Sequence, residues 1–303
     1  MESSLSLPRL EEDMRINTKG ATGYAAILLL CIASISHGRE ITSGMAEVNG
    51  TKLYYEVQGN GDPLVFIHGG ILASSEWDAQ FKTFAEHYRV IRYDVRGCGK
   101  SETRRLPYSN SEDLYQLLRV LKVTRASVVG GSMGGSIAVD FALEHPDMVE
   151  ALVLVGAVVS GWQYSPALTQ RSMSIALSTV DEGPEKGADL WLADPHLIPA
   201  PDNPTVRQRF RQLFIENYHG FLAPLYLART PKPPALQRLS QLQAQTLILL
   251  GQLDVPEVFA VADVLTTKVS NVKKIIIPNV GHLPQMEKPE EFNRLVLGFL
   301  GEP

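Results

Sequence analysis

The sequence predicts an α/β fold, a mostly parallel sheet covered by helices on both faces and interrupted by a helical insertion. Three observations carry this. Short continuous apolar runs recur along the body, as strands do when both their faces are buried. Stretches with apolar residues at helical spacing separate them. Between residue 161 and about residue 244 the alternation lapses into proline-bearing amphipathic sequence, then resumes. The size is adequate: 303 residues, 45% hydrophobic and 20% charged, have the composition of an ordinary globular protein and enough apolar material for a core without metal or disulfide staples.

Taken in order, the chain opens with a leader, residues 1–44, whose apolar stretch at 25–33 is short for a bilayer span and suits the core of a secretory signal. Read from Met14, the leader offers Arg15 and Lys19 without an acid, and Ser34 and Ser36 supply small residues for cleavage near residue 36, followed by a short linker. Export from the cytoplasm, to a periplasm or the exterior, is the expectation, with no membrane span in the mature protein. Translation from Met45, giving a cytoplasmic protein, and an uncleaved anchor are the alternatives. The body is divided into a core at residues 45–160 and 241–303 and a helical cap at 161–240.

Strands are expected at residues 51–57, ending at Gly59-Asn60-Gly61, at 64–67 before His68-Gly69-Gly70, and at 88–93, stopped by Asp94. Leu114, Leu117, Leu118 and Leu121 mark a helix over 111–121. A strand at 126–129 runs into Gly130-Gly131, a helix at 136–144 ends before Pro146, and a strand follows at 151–155. Residues 168–178 and 204–218 are amphipathic helices of the insertion. Strands return at 246–250, reaching Asp254, and at 274–278, before a closing helix at 289–300.

Several function classes are excluded. The net charge is −5 and the 28 Lys and Arg residues are scattered, without the basic face that nucleic-acid binding requires. Two cysteines, Cys31 and Cys98, make no disulfide framework or cysteine-rich zinc site. The seven histidines are dispersed with no H-E-x-x-H, so no metal or other cofactor is expected.

The sharpest motif is Gly130-Gly131-Ser132-Met133-Gly134, a G-x-S-x-G between a strand and a helix, the context in which such a serine is a nucleophile. The turn is so tight that side chains at Gly130 and Gly134 would collide, and its strain lifts the Ser132 hydroxyl clear of the sheet. A phosphate loop fails because no Lys-Ser or Lys-Thr follows the glycines. A serine hydroxyl needs a base, and the base an orienting acid. On this kind of sheet the chain order is serine, acid, histidine. Asp254 follows directly on a strand and His282 is the one histidine after it; both lie in loops where α/β sheets place their sites. Glu257, beyond Pro256, ranks below Asp254. The backbone N–H of Met133 and that of Gly70 are the expected oxyanion donors, with Ile71 the neighbouring alternative. His68, ahead of the serine, braces its loop.

With these residues in place the chain resembles the α/β-hydrolase superfamily over residues 47–300. The resemblance rests on His68-Gly69-Gly70, the stretch from Asp94 to Ser101, the Ser132 turn, Gly251 to Asp254, and Gly281-His282. It implies an eight-stranded, mostly parallel sheet with a cap after the sixth strand, a structural role for the Asp94–Ser101 loop, and Cys98 as a bystander. Small capped esterases and enol-lactone hydrolases are the nearest likeness, implying a serine hydrolase that cleaves a small carboxylic ester or lactone through an acyl-enzyme on Ser132. Relatives with the same triad also hydrolyse carbon–carbon bonds or act as cofactor-free haloperoxidases, and some serve as non-catalytic ligand receptors. Family members that attack through aspartate are excluded by Ser132. Ile71, Trp162, Trp191 and Tyr218 are expected to line the substrate pocket. Oligomeric state is not readable.

Overall fold

The computed structural model describes residues 40–103, 106–194, 203–222 and 227–301; residues 1–39 of the expected leader, with its cleavage site, lie outside them. Eight strands form one sheet in the order β1-β2-β4-β3-β5-β6-β7-β8: β1 Thr42–Val48, β2 Thr51–Gln58, β3 Pro63–Ile67, β4 Arg89–Tyr93, β5 Ala126–Gly131, β6 Val149–Val155, β7 Gln245–Gly251 and β8 Val272–Ile277. β2 is antiparallel to both its neighbours, and the remaining pairings are parallel.

The central strands are continuous apolar runs because successive side chains enter different cores. Val65 and Ile67 of β3, Leu152 and Leu154 of β6, and Ile248 and Leu250 of β7 enter one. Leu64, Phe66, Val153, Val155, Leu247 and Leu249, their alternate neighbours, enter the other. Three helices cover the first face: α2 (Asn110–Val120), α3 (Met133–Glu144) and α7 (Pro256–Lys268). The second is covered by α1 (Asp78–Phe84) and α9 (Pro289–Leu300), whose Phe81, Phe84 and Phe292 pack with Trp77. The short α8 (Pro284–Glu287) precedes α9.

Between β6 and β7 stand α4 (Pro166–Glu182), α5 (Pro184–Ala193) and α6 (Pro204–Phe221). Their apolar faces meet around Ile175, Ala188, Trp191, Phe210 and Phe214, and close onto Leu72 and Leu283 at the sheet rim. Among the described residues no helix is long and apolar enough to cross a membrane.

The sheet starts earlier than the boundary at residue 45. Thr42, Ser43 and Gly44 already pair with Val57, Glu56 and Tyr55, so a chain starting at Met45 would lose the first pairs of β1.

The Asp94–Ser101 loop is built around one buried carboxylate. Asp94 accepts from Ser74 N–H and Lys100 N–H, both at 2.8 Å, while His68 Nε2 accepts from Val95 N–H at 2.9 Å. Burial depresses the pKa of His68, which keeps the ring neutral and able to accept that bond. Cys98 is buried there, its thiol pushed up to about 12 by burial and by Asp94, so the thiolate that reactivity requires is absent at neutral pH.

Candidate active site

Ser132 sits between β5 and α3 at φ 49°, ψ −113°, a conformation costly for a residue with a side chain. Backbone bonds hold it: its N–H donates to Val155 O at 2.8 Å, and its carbonyl accepts from Gly135 N–H at 3.0 Å. The flanking glycines are required by contact. A Cβ on Gly130 would lie 2.4 Å from Gly134 O, and one on Gly134 would lie 2.3 Å from Ile67 O. The collision is therefore with backbone on either side of the turn.

The partners come from the next strands along the same rim. Asp254 follows β7 and is buried; its Oδ1 accepts from Val255 N–H at 2.7 Å and holds His282 Nδ1 at 2.8 Å. Burial alone would pull the His282 pKa down. The Asp254 carboxylate, by charge and hydrogen bond, and the carboxylates of Glu76 and Glu287 outweigh it, leaving the ring above its ordinary value. His282 follows β8, and 18% of its side chain is exposed, in the cavity it shares with Ser132. No hydrogen bond joins Ser132 Oγ to the ring in this structure; in unliganded enzymes such contacts are often long and tighten around substrate. Glu257 is engaged elsewhere, accepting a hydrogen bond from Ser165 Oγ.

Gly70 packs against Met133: a Cβ on it would lie 3.5 Å from Met133 Cβ. Among the described residues neither the Gly70 N–H nor the Met133 N–H donates to a protein acceptor, as two donors reserved for a ligand oxygen would be. The cavity, about 760 Å³, lies between this rim and the cap, lined by Ile71, Trp162 and Trp191 among others, a size suited to small-molecule ligands. Tyr218 is a correction. It is absent from that lining, packs against the cap's own core and lies 3.9 Å, centroid to centroid, from the His219 ring. Helical periodicity marks which residues face inward, and Tyr218 turns toward helix neighbours rather than the void.

Two further features escape sequence reasoning. Gly156 directly follows β6, the strand between those that carry Ser132 and Asp254. Its φ is +52°, and a Cβ there would lie 3.0 Å from His282 Cε1 and 3.1 Å from Asp254 Oδ2. Gly156→Ala is expected to displace the imidazole and lower kcat roughly 10²-fold, since about 1 Å of misplacement can cost that much, with secondary structure by circular dichroism unchanged. An unaltered kcat would show that the pair tolerates crowding. The second feature is a buried acid, Glu76, in the 3-10 turn Ser74–Trp77. It accepts from Gly69 N–H at 2.7 Å and from Gln285 Nε2 at 2.6 Å. Nothing in the sequence distinguishes it from a surface glutamate, because its burial depends on α8, 209 residues away at Gln285.

Comparison with known proteins places the chain in a family. A profile of the alpha/beta hydrolase fold matches residues 62–289. A 2-hydroxy-6-oxononadienedioate/2-hydroxy-6-oxononatrienedioate hydrolase of Burkholderia vietnamiensis is 32% identical, over 88% of this chain and 98% of the relative. Among solved structures, an enol-lactonase from Burkholderia xenovorans is 25% identical with a TM-score of 0.73, covering 86% of this chain and 100% of its own. An esterase from Thermogutta terrifontis, also 25% identical, has a TM-score of 0.72 and covers 86% of this chain and 98% of its own. A sheet of this order, a serine on this turn and a match running from before β3 to α9 lead to one conclusion: the chain is a hydrolase and belongs to the α/β hydrolase family.

Proposed function

We propose that the protein cleaves a small carboxylic ester or lactone through an acyl-enzyme on Ser132. The observation that carries this reading is the strained Ser132 sharing one cavity with the His282–Asp254 pair and the unengaged N–H groups of Gly70 and Met133. His282 Nε2 takes the Ser132 proton as Oγ attacks the carbonyl carbon. Asp254 fixes the ring through Nδ1 and stabilises its charged form. The two N–H groups receive the oxyanion, and the protonated ring gives its proton to the leaving alcohol. Water, deprotonated by the same ring, then releases the acid. Likeness to a lactonase and an esterase supports the substrate class.

A second reading, hydrolysis of a carbon–carbon bond in a vinylogous diketone, is favoured by the naming of relatives at 32% and 30% identity as 2-hydroxy-6-oxononadienedioate hydrolases. Both reactions begin at a carbonyl carbon, so the same residues serve either. Initial rates for short p-nitrophenyl esters, lactones and a vinylogous diketone, compared as kcat/KM, separate them. Ester or lactone values above the diketone's by about tenfold or more are expected; the reverse order replaces the ester reading with the carbon–carbon one.

The pH dependence follows from His282. Only the neutral ring accepts the serine proton, and its pKa is raised. Activity is therefore expected to be full on the alkaline side and lost as pH falls through a midpoint above the ordinary histidine value. A kcat/KM profile with its acid limb below that value would contradict the assignment.

The expected export of the mature chain is likewise proposed. Mass spectrometry of the N-terminus of secreted or periplasmic protein is expected to find a start near residue 37.

A further inference from the structure

Glu76 stands behind the site. Its Oε2 holds the N–H of Gly69, the residue before the proposed oxyanion donor. Its Oε1 holds the Gln285 amide, three residues beyond His282. The same oxygen would lie 3.0 Å from a Cβ on Gly131, the residue before Ser132. One carboxylate thus reaches three of the four segments that must converge for the reaction, the Asp254 loop being the fourth. The tie continues through Gln80, whose Nε2 donates to Gln285 O at 2.9 Å and to Asn293 Oδ1 at 3.1 Å. Glu76 is 3% exposed, and burying an acid this completely has a large cost unless its surroundings use it.

We propose that Glu76 is a positioning residue for this reaction, a second carboxylate that sets the Gly69–Gly70 turn and the His282 loop from behind Ser132 and adds its charge to that of Asp254 on the imidazole. The inference rests on the Ser132–His282 reading above. Asp254, Glu76 and Glu287 are the acids that act on the His282 ring, Glu287 through a carboxylate that accepts from Gly281 N–H and Leu283 N–H. On Glu76 the charged neighbour is His282. The other ionisable groups near its turn are engaged: Arg92 meets Ser74 O and pairs with Glu56 and Asp78, Asp94 holds Ser74 N–H, and His68 is kept neutral. Burial lifts the Glu76 carboxyl to about 7, against the Gly69 N–H, the Gln285 amide and His282. Each of Glu76 and His282 is the other's charged neighbour, so a proton bound to one weakens the hold on the other's charge.

Glu76→Gln removes the charge while leaving a bridge possible. Gln285 Oε1 is buried without a partner, so a half-turn of that amide lets it accept from the NH₂ group that the substitution introduces. The test is an NMR titration of the full chain carrying ¹³C-labelled histidine, with the His282 signal identified by its loss in His282→Gln. The His282 midpoint is expected to fall by about 0.5 pH unit or more in E76Q. For a p-nitrophenyl ester, kcat is expected to fall about tenfold or more with KM within about threefold, as for an interaction made mainly in the transition state, and the acid limb to move to lower pH. An unmoved midpoint, or an unmoved limb with kcat retained, overturns the proposal. If E76Q does not fold, the exchange E76Q/Q285E keeps both the bridge and a carboxylate. It is expected to recover kcat to within about threefold of the parent, and a folded double variant still more than about tenfold slow overturns the proposal. The titration needs no turnover, so an inactive parent chain would end the ester reading while leaving the Glu76–His282 coupling to be judged separately.

Discussion

Ser132→Ala is expected to lower kcat/KM for an ester substrate by about 10⁴- to 10⁶-fold, the range seen when the nucleophile of such a set is removed. The protein should remain folded. Ser132 is held by its backbone: N–H to Val155 O, and carbonyl to Gly135 N–H and Val158 N–H. Alanine keeps all of these at the same strained φ. Its loss removes only the oxygen that attacks, leaving the oxyanion donors and the cavity to supply whatever residual rate persists. Initial rates on the purified variant, with a thermal melt beside them, provide the measurement. A variant within about tenfold of the parent would show that Ser132 is not the nucleophile and would remove the acyl-enzyme from the mechanism.

The largest stability effect is expected at Asp113→Ala, a loss of about 3–5 kcal/mol. Arg96 and Asp113 form a two-pronged pair, Nε to Oδ2 and Nη2 to Oδ1, both at 2.7 Å, with each side chain only 3% exposed. Asn49 donates to the same carboxylate at 2.8 Å, and the Arg96 guanidinium lies 4.6 Å from the centre of the Tyr108 ring. Deleting the carboxylate leaves a guanidinium buried with Asn49 O as its remaining hydrogen-bond partner. For a chain this long, the melting temperature should drop by roughly 6–20 °C. Calorimetry or a circular dichroism melt reads this directly. A shift under about 2 °C would mean that water or a rearranged loop solvates Arg96.

How far the sequence disclosed these features depends on how local their causes are. The inner strands were legible because a strand covered on both faces must be apolar throughout, as Val65–Ile67 and Leu247–Leu250 are. Ser132 was legible because its turn leaves no room for side chains at Gly130 and Gly134, and Asp254 and His282 because chain order and strand ends restrict the choice. β1 was missed for the opposite reason. As an edge strand it buries only Ala46 and Val48, and its first residues lie in the stretch read as leader. The cap segment at 184–193 is short and carries Pro184 and Gly187, so its helix α5 (Pro184–Ala193) emerges only from packing on α4 and α6. Gly156 and Glu76 depend on contacts across distant segments, which no single stretch of sequence encodes, and Tyr218 on which way its helix faces once the cap is packed.

Every group proposed to act on the carbonyl hangs from the C-terminal rim of the sheet: Gly70 after β3, Ser132 and Met133 after β5, Asp254 after β7, His282 after β8. The insertion between β6 and β7 contributes walls to the cavity and none of these groups. We propose that the rim carries the chemistry while rim and insertion together shape what enters, since Ile71 and Ile137 share the cavity walls with Trp162 and Trp191. A chimaera that grafts a foreign lid between Gly161 and Ser240 is then expected to keep the reactivity of this scaffold and to shift its appetite only in part.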